Sequence, residues 1–207
     1  MNSTNFWKLL GSLALSFGAP WLFLVVLPYL SQSDARPVAY GEGEEVEGGL
    51  AAYPDPTLQR HGASDYGRDI YAAEGCAYCH TQVVRPTYAG ADMWHSGWGG
   101  REEAGLARET QPADYATEGV ALLGYQRIGQ DLSNIGHRVS TREEMHRHLY
   151  DPKSFDSESA MPAFKHLYRP SAVGMGFVAT PRAEALVDYL FSLKKDQPLP
   201  KGYLSGN

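Results

Sequence analysis

Both cysteines of the 207-residue chain fall in one pentapeptide, Cys76-Ala77-Tyr78-Cys79-His80. Two thiols at C-x-x-C spacing, followed at once by an imidazole, form the attachment signature of a c-type haem. Each thiol adds to a vinyl group to make a thioether, and the histidine lies beneath the iron as proximal ligand. A structural zinc site would need two more ligands at suitable spacing, and no second Cys/His pair of that kind follows. A thioredoxin-like dithiol sits in a βαβ context, which is also missing. The spacing therefore predicts one covalent haem c on Cys76, Cys79 and His80.

A low-spin electron-transfer haem takes a second protein ligand, whereas catalytic or gas-binding haems leave that position open. The candidates are Met93, Met145, Met161 and Met175, with His61, His95, His137, His146, His148 and His166. Met145 falls on a predicted helix whose apolar face has a core to fill, and Met93 and Met175 lie in glycine-rich loops. Met161 precedes Pro162 and lies between two predicted helices. Proline fixes its own φ and pushes the preceding residue into an extended conformation, so Met161 is presented on a stiff loop. Met161 is thus the expected distal ligand, although filling core gaps is the commoner fate of methionine. Methionine–histidine ligation raises the potential relative to two imidazoles, which suits a one-electron carrier without a substrate cavity.

The elements that position these ligands read as mainly α. Ser64 stands where it can cap a helix running to Ala73, with Gly75 ending it just before the cysteines. Ser140-Thr141-Arg142-Glu143 has capping-box spacing for a second helix, which Pro152 stops. Thr180-Pro181 opens a third, with Leu186, Val187, Leu190, Phe191 and Leu193 at helical spacing. No run of alternating strand residues is visible. Between the haem motif and the second helix lie about fifty residues with little periodicity, a loop long enough to be functional or partner-covered. It contains Trp94 and Trp98, placed to touch a membrane partner or to pack on the haem or core.

Residues 9–33 carry no charge and are dominated by leucine, valine and aromatic side chains. About 20 apolar residues cross a bilayer core as a helix, and Trp7 and Tyr29 lie where interfacial anchors belong. Pro20 and Pro28 are expected to kink or end it. A cleaved signal peptide would have a shorter apolar run and a small-residue cleavage site, for which Ser31-Gln32-Ser33 is a poor match. The organisation that results is an anchor over 1–35, a flexible acidic tether over 36–60, a haem domain over 61–200 and a tail over 201–207. Net charge is −6, with no basic stripe to displace counterions from phosphates, so nucleic acid is not an expected partner. Haem c is attached outside the bacterial cytoplasmic membrane. The expected location is therefore single-pass in the inner membrane, N-terminus cytoplasmic and haem domain periplasmic.

Glu74-Gly75-Cys76-Ala77-Tyr78-Cys79-His80-Thr81-Gln82, followed by Arg85-Pro86, resembles the haem segment of the monohaem subunit II of cbb3-type cytochrome c oxidases. Three later stretches are similar in the same order: Gly124-Tyr125-Gln126-Arg127-Ile128-Gly129-Gln130-Asp131-Leu132, His148-Leu149-Tyr150-Asp151-Pro152, and Glu158-Ser159-Ala160-Met161-Pro162-Ala163-Phe164. The resemblance implies a class I cytochrome c domain with a long loop insertion, not an enzyme on its own. It implies electrons received from a donor cytochrome c and delivered to an integral-membrane haem-copper catalytic subunit. By position the resemblance matches Met161 to the distal ligand and Arg127 to an arginine near the haem, with Arg138 following Gly136-His137 in a similar loop. Both arginines are the expected partners of haem propionates, since guanidinium meets carboxylate in a bidentate fork. Two departures stand out. The family usually reads Gly-Pro-Asp-Leu where this chain has Gly129-Gln130-Asp131-Leu132, and residues 88–120 show little similarity. They leave open a free-standing tethered shuttle, or the cytochrome subunit of a nitric-oxide reductase-like, quinol-oxidising or photosynthetic complex.

Overall fold

The computed structural model describes residues 3–32, 36–44, 46, 49–55, 60–92, 99, 108–172 and 176–205. The chain separates into two units, residues 1–38 and 39–207. Among the sequence candidates, Met93, Trp94, His95, Trp98 and Met175 lie outside the described residues.

The first unit is helical. Helix α1 (Ser3–Trp21) passes into a π-turn (Leu22–Val26) and then α2 (Leu27–Gln32). The continuous stretch Asn5–Ser31, 27 residues, is long and apolar enough to cross a membrane. Its large side chains face outward, Leu15, Phe17 and Leu24 each being at least 70% exposed. Neither proline ends the helix. Pro28 has no N–H to give and its ring crowds the carbonyl four residues back. The chain accommodates this by widening one turn beforehand, where the Leu27 N–H donates to the Leu22 carbonyl, five residues back.

The second unit is mainly helical as well, as the sequence pattern required. Its elements are α3 (Ala63–Ala73), α4 (Cys76–Cys79), α5 (Ile135–Arg138), α6 (Arg142–Tyr150) and α7 (Pro181–Ser192). Short strands β1 (Val38–Ala39) and β2 (Ala52–Tyr53) precede them, and the antiparallel pair β3 (Tyr168–Pro170) and β4 (Phe177–Ala179) precedes α7. Strands of two or three residues are too short to leave an alternating pattern in sequence.

Helix α3 crosses α7 with backbone nearly in contact at Gly67. A Cβ there would lie 1.8 Å from the Ala185 carbonyl oxygen and 2.9 Å from Tyr189 Cβ. One turn on, the buried rings of Tyr71 and Tyr189 meet at 5.3 Å. Gly136 brings α5 against the end of α7 in the same way, with a virtual Cβ 2.3 Å from the Phe191 carbonyl. The core between these helices is built from Ile70, Leu149, Leu167, Leu186, Val187 and Leu190 among others.

Two helix starts differ from the sequence reading. Helix α3 is capped by Gly62 at φ +61°, and the Ser64 hydroxyl is buried inside the helix rather than capping it. Helix α6 is capped by Thr141, whose hydroxyl accepts from the Glu144 N–H at 3.2 Å, so the cap is shifted one residue from Ser140. The third start is as read: Thr180 caps α7 with Pro181 in its first turn. Residues 36–60, read as a tether, contain anchored positions. Tyr53 is fully buried and donates to Asp114 Oδ1 at 2.8 Å, while Tyr40 donates to the Pro198 carbonyl and accepts from Gln197 Nε2. Single aromatic anchors of this kind create no periodicity.

Candidate haem site

The sequence packs its chemistry into one turn. Gly75, at φ +76°, ends α3 and lets α4 start immediately, so Cys76 and Cys79 occupy the two ends of a single helical turn. His80 then leaves the helix in extended conformation. A second segment, residues 123–132, lies along this one through backbone hydrogen bonds: Gln82 N–H to Leu123 O, Tyr125 N–H to Ala77 O, Gly129 N–H to Cys79 O and Leu132 N–H to Thr81 O, all 2.8–2.9 Å.

Glycine permits that approach. A Cβ on Gly129 would stand 2.3 Å from His80 Cε1, and one on Gly124 would stand 2.2 Å from the His80 carbonyl oxygen. The His80 ring is therefore seated against bare backbone, with Nδ1 2.7 Å from the Gln130 carbonyl. Burial pushes the imidazole below the ordinary histidine range, with the Gln130 bond opposing. A neutral ring whose Nδ1–H donates to a carbonyl presents the lone pair of Nε2, the tautomer that ligates metal. A proline before Asp131 would offer the same backbone carbonyl, so the Gly129-Gln130-Asp131-Leu132 departure keeps this contact.

Asp131, fully buried, stitches the two segments together. Its carboxylate accepts from Thr81 Oγ1 at 2.7 Å, the Val83 N–H at 2.9 Å and the Ser133 N–H at 2.8 Å. Gln82 is also fully buried, its amide exchanging hydrogen bonds with the Tyr189 hydroxyl at 2.9 and 3.1 Å. Arg85 and Arg127 both donate to Asp92, which is 3% exposed. Burial alone would raise the Asp92 carboxyl, but the hydrogen bonds of the two guanidiniums hold it below the usual carboxylate range. Gln82 and Arg85 are thus structural members of the motif.

A cavity of about 700 Å³ opens beside α4, and Cys76, Cys79, His80 and Met161 all line it. The rest of its wall is largely apolar, including Leu132, Ile135, Leu149, Phe164 and Leu190. Cys76 and Cys79 form no disulfide, which leaves both sulfurs for attachment, and burial followed by the nearby Glu74 pushes the Cys76 thiol up to about 12. Met161 is half-buried against the core, its N–H donating to Ser159 Oγ at 3.3 Å. An apolar slot with two thiols at its edge and an imidazole seated to expose Nε2 fits a covalent haem, and Met161 supplies a second ligand type in the same cavity.

Arg138 lines this cavity and also donates to the Asp131 carbonyl. Arg127 is not among the lining residues: its guanidinium is held by Asp92 Oδ2 and by the Val83 carbonyl, each at 2.6 Å. Sequence reasoning gave no role to three residues around the site. Gln130 acts through its carbonyl, which no side-chain pattern announces. Asp131 was visible only as part of a quoted stretch. His148, weighed and set aside as a ligand, lines the same cavity; burial, and then His80, lowers its pKa.

No curated protein matches the chain. A family model does: that of the cytochrome c oxidase mono-heme subunit, FixO, matches residues 62–194. That match spans α3 through α7, and with them the cysteines, both glycine contacts on His80, and Met161. The chain belongs to this family, the monohaem cytochrome c subunit of cbb3-type oxidases.

Proposed function

We propose that this protein is a membrane-anchored electron-transfer subunit, taking electrons from a donor cytochrome c and passing them to the haem-copper catalytic subunit of a cbb3-type oxidase. The observation that carries the reading is the convergence of Cys76, Cys79, His80 and Met161 on one largely apolar cavity. When bound, haem supplies a one-electron iron couple. The chain's own residues do the rest. Cys76 and Cys79 fix the group covalently, so it is not lost between turnovers. His80, oriented by Gln130, and Met161 hold the iron from the protein, leaving no position for substrate. Arg138 is the cavity-lining cation that pairs with a propionate. Arg127 fastens the segment behind His80 through Asp92 and Val83.

In this reading the domain lies on the periplasmic face, where haem c is attached, with the apolar helix as a single-pass anchor in the inner membrane and its N-terminus cytoplasmic. Extraction in mild detergent followed by size separation tests the assignment. Co-migration with a large haem-copper subunit, and reduction of that subunit through this one, is the expected result. A monodisperse small cytochrome would mean a free-standing shuttle instead.

A further inference from the structure

His148 lines the cavity, and among the described residues no hydrogen bond holds its ring. Every other described histidine with a buried or half-buried ring has a hydrogen-bond partner: His80 has Gln130, His137 has Asp196, and His146 has Tyr168 and Glu184. Among the described residues neither nitrogen of His148 has one, and its ring contact is the Phe155 ring at 5.4 Å. An imidazole that lines a cavity and has no hydrogen bond from the protein keeps both nitrogens available to what the cavity receives.

The chain places this ring on the wall that also carries Met161. His148 lies in the last turn of α6, and buried Met145 and Leu149 fix the helix to the core. The Phe164 N–H donates to the Leu149 carbonyl at 2.9 Å, folding the segment that contains Phe155 and Met161 back onto that turn. His80 is held separately, against Gly129 and Gln130. We propose that His148 is a reserve distal ligand: when the Met161 thioether is lost, the His148 imidazole binds iron in its place. One Fe–S bond is replaced by one Fe–N bond with no change in electron count. Methionine is a reversible target of oxidation to the sulfoxide, so such a reserve would keep the haem six-coordinate and closed to exogenous ligands after oxidative damage. This rests on Met161 being the resting distal ligand.

The test uses the full-length, haem-loaded protein in detergent. The wild type should show a sulfur-to-iron charge-transfer band; its absence overturns the Met161 assignment and this proposal with it. With the band present, M161A should lose it yet stay low-spin and six-coordinate, with a lower midpoint potential and no rapid binding of carbon monoxide. M161A/H148F should become high-spin and bind carbon monoxide at once. A high-spin M161A, or a low-spin double variant, overturns the role of His148 while leaving Met161 intact. Should M161A fail to accumulate, peroxide-oxidised wild type and H148F give the same comparison: low-spin and high-spin respectively, with the reverse or equal spectra overturning the proposal.

Discussion

At the level of single residues, the site depends on contacts made by absent side chains. Gly129 exposes bare backbone to the His80 ring, and a methyl group there would lie 2.3 Å from Cε1, well inside van der Waals contact. Either the ring tilts off the Gln130 carbonyl or the segment retreats, and both move Nε2. Gly129→Ala should therefore lower the yield of haem-loaded protein and weaken the low-spin optical spectrum of what remains; full loading with an unaltered spectrum would refute the steric account. Asp92 acts behind the same segment. Its carboxyl is held below the ordinary value of about 3.9, so it binds fewer protons folded than unfolded. Its contribution is fully present above that value and disappears as pH falls through the depressed folded one. Asp92→Asn should be destabilised at pH 7 in urea titrations, and the gap to wild type should close below about pH 4. A gap independent of pH would show that charge is not what Asp92 contributes.

At the level of elements, the helices whose information is local were legible and those fixed by tertiary contact were not. Helix α7 announces itself through Thr180-Pro181 and an apolar stripe, because cap, first-turn proline and buried face all lie within one stretch of chain. Helix α5 has four residues and exists because Gly136 docks on the end of α7, a contact between positions far apart in sequence. The α3–α7 crossing has the same character, since nothing local distinguishes Gly67 from a helix-weakening glycine. The start of α6 was read one residue early, because Ser140 and Thr141 are both capping types and both have Glu three positions on. The structure separates them, since Thr141 accepts from the Glu144 N–H. Thr141→Ala should cost about 1 kcal/mol in urea unfolding and Ser140→Ala a few tenths at most; equal effects would place the cap elsewhere. Of the site itself, the thiols and His80 were legible because attachment chemistry fixes their spacing. The seat behind His80 was not, because it is made of a carbonyl and two hydrogens.

At the level of the whole molecule, folding and anchoring are carried by different residues. The core cluster of the second unit runs from Ile70 to Leu193 and includes none of the described residues before 39, while the apolar side chains of α1 are exposed, suited to lipid or a partner helix. The haem domain should accordingly fold without its anchor. A chain lacking residues 1–35, exported behind a cleavable signal, should be recovered in the soluble fraction with the optical spectrum and urea midpoint of the full-length domain. What it should lose is association. An anchor confines the domain to the membrane surface and turns encounter with an integral partner into a near-intramolecular event, raising effective concentration without adding a contact. Reduction of the catalytic subunit by the truncated domain should therefore become concentration-dependent and fall on dilution, where the anchored protein shows no such dependence. If the truncated domain stays bound and active on dilution, its own surface suffices to hold it and the helix serves only for delivery to the membrane. If it fails to fold, the separation between core and anchor is wrong.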